Sequence, residues 1–231
     1  SFIALALLLI ASVVGLAYGT SDVAGVWQII FSPFTDTGSL SHQSVWELRG
    51  TRIAAAVLVG ASLGIAGTLA QGSTNNPLAE PTILGTSAGA AFGVLIGVLT
   101  NLVEIGSVGA VLFAACGALL VTTLVFSLAH SALSLITVGI GVSAIVSALV
   151  GLTLTAVNRP DARSISFWTF GSFALVTPSD LLILAPLLVL GALAAWKLAP
   201  RLDLLSLGDA AVRHIGQRPQ RIRYQSFIVL S

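Results

Sequence analysis

The sequence predicts an all-α fold, a polytopic transmembrane helical bundle, on three observations. First, 56% of the 231 residues are hydrophobic, 8% are charged, and the mean hydropathy is +1.01. About a quarter of a soluble domain is charged, so this chain lacks the polar groups to cover its own surface in water. Second, uncharged runs of membrane-spanning length recur along it. Third, short polar segments rich in Pro, Asn and Gly punctuate those runs. A single cysteine, Cys116, lies inside an apolar run, which excludes a disulfide framework and a cysteine metal cluster. A formal charge of +1 gives no reason to expect nucleic-acid binding.

The runs without Asp, Glu, Lys or Arg include 1–21, 53–79, 81–103, 105–129, 131–158 and 181–196. Crossing a bilayer as a helix takes about 20 apolar residues, down to about 17. Six spans are therefore expected, near 2–19, 53–71, 83–102, 107–128, 133–157 and 180–198. A seventh apolar stretch begins after Arg223, and the chain begins at Ser1 already within an apolar run, so both ends read as cut from a longer membrane protein. A secretory signal at the first run would want a basic leading region and a small-residue cleavage site, and no basic residue precedes it.

Orientation follows from the basic residues. Lys197, Arg201, Arg213, Arg218, Arg221 and Arg223 cluster between the sixth span and the seventh, and loops rich in Lys and Arg stay in the cytoplasm. Counting back puts the amino end inside too. The loops at 20–50 and 158–179 and the turn near Glu104 then face outward, with Arg49, Arg52, Arg159 and Arg163. The "NNPLAEP" segment and the turn near His130 face inward.

Small residues recur in two spans: Gly60, Gly64 and Gly67 in the second, Ser143, Ser147 and Gly151 in the fifth. Small residues let helices approach closely in lipid, which predicts that both spans are central. They serve as packing faces, or they border a translocation path with Ser62, Thr68, Ser143 or Ser147 in its polar lining; spacing does not separate the two.

Charges occur only at the ends of the expected spans, whereas ion-coupled carriers commonly keep ionisable groups in mid-membrane. No H-E-x-x-H, G-x-S-x-G or P-loop motif is present. His42, His130 and His214 are far apart in sequence and read as solvated surface residues. No catalytic, cofactor-binding or metal site is expected, so uphill transport would need work supplied by another subunit.

The basic segment "RLDLLSLGDAAVRHIGQRPQRIR" is the second informative stretch. After Pro200 it reads as two short helical pieces hinged at Gly208, the second amphipathic, with Ala211, Val212 and Ile215 set against Asp209, Arg213 and His214. Gly216 is placed as a C-cap, and Pro219 prevents a continuous helix. Such a hairpin lies on the membrane surface or docks a cytosolic partner; Asp203 and Asp209 favour docking, because an interfacial helix carries mainly Lys and Arg on its polar face.

"LRGTRIAAAVLVGASLGIAGTLAQ" followed by "NNPLAEPTILGTSAGAAFG" resembles the FecCD-type permeases, membrane subunits of ABC importers for iron–siderophore complexes, haem and cobalamin. "GIGVSAIVSAL", "FWTFGSF" and "LDLLSLGDAAVRHIG" follow in that family's order, so the resemblance covers about 45–231. "LRGTR" departs from it, with Gly50 and Thr51 where the family has a middle pair including proline.

The resemblance implies one transmembrane permease domain over 1–231, truncated from about ten spans, with coupling helices at 203–217 within it. It implies a bacterial cytoplasmic (inner) membrane, a second permease subunit, two ABC ATPase subunits that use ATP and Mg, and an extracytoplasmic substrate-binding protein. The coupling residues would be Leu205, Ser206, Leu207, Gly208, Asp209, Ala211, Val212, Arg213 and Ile215. Arg49 and Arg52 would meet acidic residues of the binding protein, or else snorkel at the interface. The inner turn is built on Asn76, Pro77, Glu80 and Pro81. Glu80 would cap the third span at its positive end, with an ATPase contact or a gating role as the alternative. The expected function is passage of an iron chelate, ferric siderophore before haem or cobalamin, by alternating access. An ion-coupled secondary transporter and a purely structural anchor are the competing classes.

Overall fold

The computed structural model describes residues 2–19, 23, 25–32, 39–129, 131–156, 170–174 and 176–231. Those residues are helical or in turns, with no strand among them. The helices are α1 (Phe2–Ala17), α2 (Val26–Phe31), α3 (Leu40–Thr74), α4 (Thr86–Leu99), α5 (Val108–Leu128), α6 (Ala132–Ala156), α7 (Pro178–Leu205), α8 (Asp209–His214) and α9 (Pro219–Leu230). α3, α5, α6 and α7 are long and apolar enough to cross a membrane. Large apolar side chains are exposed on each of them, as at Leu63, Leu120, Leu152 and Leu182, which suits lipid and not water. The exposed charges Glu47, Arg52, Lys197, Arg201 and Asp203 lie in the amino-terminal part of α3 and the last turns of α7. The chain is a multi-pass helical membrane protein.

Several boundaries differ from those the sequence suggested. α3 starts at Leu40, well before the expected span at 53, where Ser39 Oγ accepts from the His42 N–H at 3.2 Å. Its first turns are π-helical over Gln43–Gly50, and His42 is 8% exposed, not solvated. α7 runs on through Pro186 and Pro200 to Leu205, so Pro200 ends no helix and the first piece of the expected hairpin is the tip of α7. α4 has only 14 residues, about 21 Å of rise against about 30 Å of hydrocarbon. Residues expected at its start form a separate 3-10 turn, Pro81–Leu84, closed by Gly85 with φ 86°. His130 and the 157–169 part of the loop with Arg159 and Arg163 lie outside the described residues.

The chain divides into two compact units, Ser1–Ala61 with Ser172–Val189, and Ser62–Gly171 with Leu190–Ser231. In the first, Trp46 Nε1 donates to the Ile29 carbonyl at 3.2 Å, and Val45 and Ala55 are fully buried. Asp180 Oδ2 accepts from the Thr177 N–H at 2.8 Å and from its hydroxyl at 2.9 Å, a capping arrangement that starts α7 with Pro178 in its first turn.

The core of the second unit gathers Ala70, Leu84, Val121, Val125, Leu135, Val142, Val146 and Phe227. Its tightest seam joins α4 to α5. A Cβ at Gly89 would meet the Gly117 carbonyl oxygen at 2.5 Å, and one at Gly93 would meet the Phe113 carbonyl oxygen. By contrast, a Cβ built at Gly60, Gly64, Gly67 or Gly151 meets no other element among the described residues within 4 Å. At these glycines the expected small-residue faces of the second and fifth spans meet no described neighbour, whereas Ser143 of the fifth lies against Gly85, and the close helix approach belongs to the third and fourth.

Gly93→Ala should therefore destabilise the protein by about 1–3 kcal/mol through overpacking, whereas Gly141→Ala, at an open position, should leave thermal unfolding in detergent nearly unchanged.

Candidate functional site

The hairpin at the end of α7 is built by backbone chemistry first. Gly208 joins α7 to α8 at φ 89°, ψ 152°, a region only glycine occupies without strain. α8 ends in a Schellman motif: the Gln217 N–H donates to the Val212 carbonyl at 3.1 Å and the Gly216 N–H to the Arg213 carbonyl at 3.0 Å, with Gly216 at φ 78°. Pro219 then starts α9.

Its side chains divide into two sets. Leu205 and Val212 are buried against Ile222, with Leu202 and Leu204 beside them. Leu207 and Ile215 point the other way, 65% and 56% exposed, alongside exposed Ser206 and Arg213. Ala211 is half-buried. The residues singled out as one coupling set therefore comprise an inner anchor and an outer apolar pair in a basic setting.

Arg223, which sequence reading used only as an orientation charge, holds this hairpin. It is 3% exposed. Its Nη1 and Nη2 donate to Asp209 Oδ2 and Oδ1 at 3.0 and 2.7 Å, and its Nε donates to the Ser73 carbonyl at 2.9 Å. The signal was present in the sequence: Pro219, Ile222, Arg223, Ser226 and Phe227 fall at i, i+3, i+4, i+7 and i+8, and all are buried. The hydrogen bonds from Arg223, with its charge and that of Arg213, hold the Asp209 carboxyl below its ordinary value of 3.8, against a smaller desolvation effect that raises it.

The "NNPLAEP" turn is fixed by its own backbone. Asn75 takes φ 53°, the Asn76 N–H donates back to the Gln71 carbonyl at 3.2 Å, and Asn76 Oδ1 accepts from the Leu78 N–H at 3.0 Å. Pro77 is exposed and Pro81 opens the 3-10 turn. Glu80 does not cap the third span: its Oε2 accepts from the Thr82 hydroxyl at 3.2 Å, it caps no backbone N–H, and α4 begins only at Thr86.

The two arginines of "LRGTR" both reach backbone carbonyls. Arg49 Nη1 donates to Leu16 and Ala17 oxygens at 3.0 and 3.1 Å, at the C-terminus of α1, and exposed Arg52 donates through Nη2 to the Ala174 oxygen at 2.9 Å. Of the residues considered for a path, Ser62, Thr68 and Ser147 are exposed and Ser143 is half-buried. The hydroxyls of Thr68 and Ser143 donate to the Ile65 and Gly139 carbonyls of their own helices. No group of three potential metal ligands occurs among the described residues.

The described residues form a lipid-suited helical bundle with a polar turn and a basic hairpin, both fixed by hydrogen bonds within the chain. Residues 5–231 match the FecCD transport family, and the chain belongs to that family. It is 32% identical to the iron(3+)-hydroxamate import system permease protein FhuB of Bacillus subtilis (strain 168), over 98% of this chain and 60% of that protein. It is 31% identical to the hemin transport system permease protein HmuU of Yersinia pestis, over 87% of this chain and 63% of that protein. The chain thus spans about three fifths of the length of these relatives. A solved metal-chelate type ABC transporter in an inward-facing conformation superposes with a TM-score of 0.80 at 28% identity, over 99% of this chain and 70% of that one.

Two measurements follow from this geometry. Because the Asp209 carboxyl is held below its ordinary value, the stability it contributes is present above that value and lost as pH falls through the lowered one. Protection of the α8 amides from hydrogen exchange should therefore stay level from neutral pH down to about the ordinary value of 3.8 and fall progressively from there toward the lowered one. Arg49→Met should lower stability by about 1–2 kcal/mol and speed amide exchange at the end of α1, because the carbonyls of Leu16 and Ala17 lose their donor.

Proposed function

We propose that this chain is part of the permease subunit of an ATP-binding-cassette importer for an iron chelate, in a bacterial cytoplasmic membrane. The observation that carries the proposal is the hairpin: a preformed element, locked from behind, presenting Leu207 and Ile215 to a partner, on a chain of the FecCD transport family. The subunit pairs with a second permease subunit. Two ABC ATPase subunits, which use ATP and Mg, dock at the hairpin through Leu207, Ile215, Ser206 and Arg213. An extracytoplasmic binding protein delivers the cargo, with Arg49 and Arg52 near its docking rim. Since both arginines also hold backbone carbonyls, they contribute to a fixed rim more than to contact affinity.

The cargo is a ferric siderophore, supported by the similarity to a hydroxamate permease; haem is the runner-up, supported by the similarity to a hemin permease, and cobalamin is third. The subunit itself performs no chemistry. ATP binding and hydrolysis in the partner shift the hairpin, and the shift re-packs the spans between inward- and outward-open arrangements. Ser62, Thr68, Ser143 and Ser147 line the passage with weak polar contacts, which suits a large cargo that must also leave.

The full-length subunit, reconstituted with its cognate ATPase and binding protein in liposomes, should take up labelled ferric hydroxamate only with ATP inside the reach of the ATPase. Gly208→Pro removes the Gly208 N–H bond to Leu205 at 3.0 Å and forces φ to the wrong sign, so ATP hydrolysis should continue with uptake reduced at least about tenfold. Uptake that followed an ion gradient without any ATPase would instead point to a secondary transporter.

A further inference from the structure

Arg223 carries a full charge on the first turns of α9, yet it is one of the most buried polar residues described. Burying a charge is unfavourable unless the surroundings compensate for it, and here the compensation is spread over three chain segments. The planar fork meets both carboxylate oxygens of Asp209, the first residue of α8. A bidentate pair of this kind cannot slide without breaking both bonds. Nε meets the carbonyl of Ser73, in the last turn of α3. That carbonyl has no intrahelical donor, because the residue four positions on is Pro77, which has no N–H.

The apolar contacts run the same way. Leu205 from the tip of α7, Val212 from α8 and Ile222 from α9 form one buried cluster. A Cβ at Gly72 of α3 would lie 3.7 Å from Leu202 of α7. One turn further along α9, Phe227 and Tyr224 pack against Phe126 of α5, with ring centroids 4.9 and 5.5 Å apart. α9 therefore contacts the hairpin through Ile222 and Arg223 and α5 through Tyr224 and Phe227, and Arg223 is the polar contact that reaches both the hairpin and α3.

We infer that Arg223 is a positioning residue that makes the hairpin, α9 and the end of α3 move as one body, so that a displacement imposed on the hairpin reaches α3 directly. The inference rests on the importer reading above. A merely structural arginine would behave differently, since losing it would lower stability and activity together and leave the ratio of transport to hydrolysis intact.

The test uses the full-length subunit assembled with its ATPase and binding protein in proteoliposomes, with labelled ferric hydroxamate as the probe. Uptake and ATP hydrolysis are measured on the same vesicles for Asp209→Asn, Arg223→Lys and Arg223→Met. Asp209→Asn and Arg223→Met should each lower uptake per ATP hydrolysed by about tenfold. Arg223→Lys should recover part of the loss, because it keeps the charge without the fork. If Arg223→Met fails to assemble, Asp209→Asn decides alone, since it changes neither size nor shape at a partly exposed side chain. A wild-type ratio in Asp209→Asn, or uptake and hydrolysis falling in proportion, overturns the proposal. Wild-type vesicles that take up no chelate on ATP overturn the importer reading and the proposal with it.

Discussion

The second unit depends on one compensated charge. Arg223 is buried in a helix whose other inward residues are apolar or small, and a lone guanidinium there would cost several kcal/mol. Two carboxylate oxygens and a helix-end carbonyl satisfy it. Each partner in turn needs Arg223. The Ser73 carbonyl has no other backbone donor in sequence reach, and Asp209 holds its charge beside an apolar cluster because the guanidinium is there. Removing Arg223 leaves the Ser73 carbonyl without a donor and Asp209 without its ion pair, and removing Asp209 leaves a buried guanidinium with the Ser73 carbonyl alone.

The first unit repeats the device with different residues. Arg49 reaches the last carbonyls of α1, where unsatisfied oxygens and the negative end of the helix dipole favour a cation. Arg52 reaches the Ala174 oxygen shortly before α7 begins. In a chain that is only 8% charged, arginines at helix ends therefore also satisfy the backbone groups that lipid would leave bare. A cation there serves orientation and local structure at once, so its presence alone does not identify a docking residue.

The fold class was legible because hydropathy and uncharged run length report the solvent of the chain directly. Boundaries were less so. Proline marks a helix break in water, but Pro186 and Pro200 lie within α7, Pro186 in an apolar stretch where lipid-embedded helices tolerate it. The glycine seam was missed for a different reason. Gly89, Gly93 and Gly97 have the same four-residue spacing as the pair Gly60 and Gly64; spacing shows that a face is small, and only the presence of α5 opposite decides which face is filled. Glu80 was misplaced because a dipole argument needs the helix start, and the 3-10 turn moved that start to Thr86. Arg223 sat among other basic residues, where counting charge hid its position on the buried stripe of α9.

The hairpin was legible in outline, but its two faces were not, since Leu205, Leu207, Val212 and Ile215 are interchangeable by composition. Their division has a physical consequence. Leu205 and Val212 are already satisfied by Ile222, and both ends of α8 are closed by Gly208, Gly216 and the Asp209–Arg223 pair. The shape of the hairpin is thus set from within the chain and does not wait for a partner. A surface ordered in advance loses less conformational entropy on association, so little of the energy gained by covering Leu207 and Ile215 is consumed in folding the element that carries them. Under the proposed coupling role the same internal contacts would pass a push at the outer face to the residues that hold the hairpin from behind, Ile222 and Arg223 of α9.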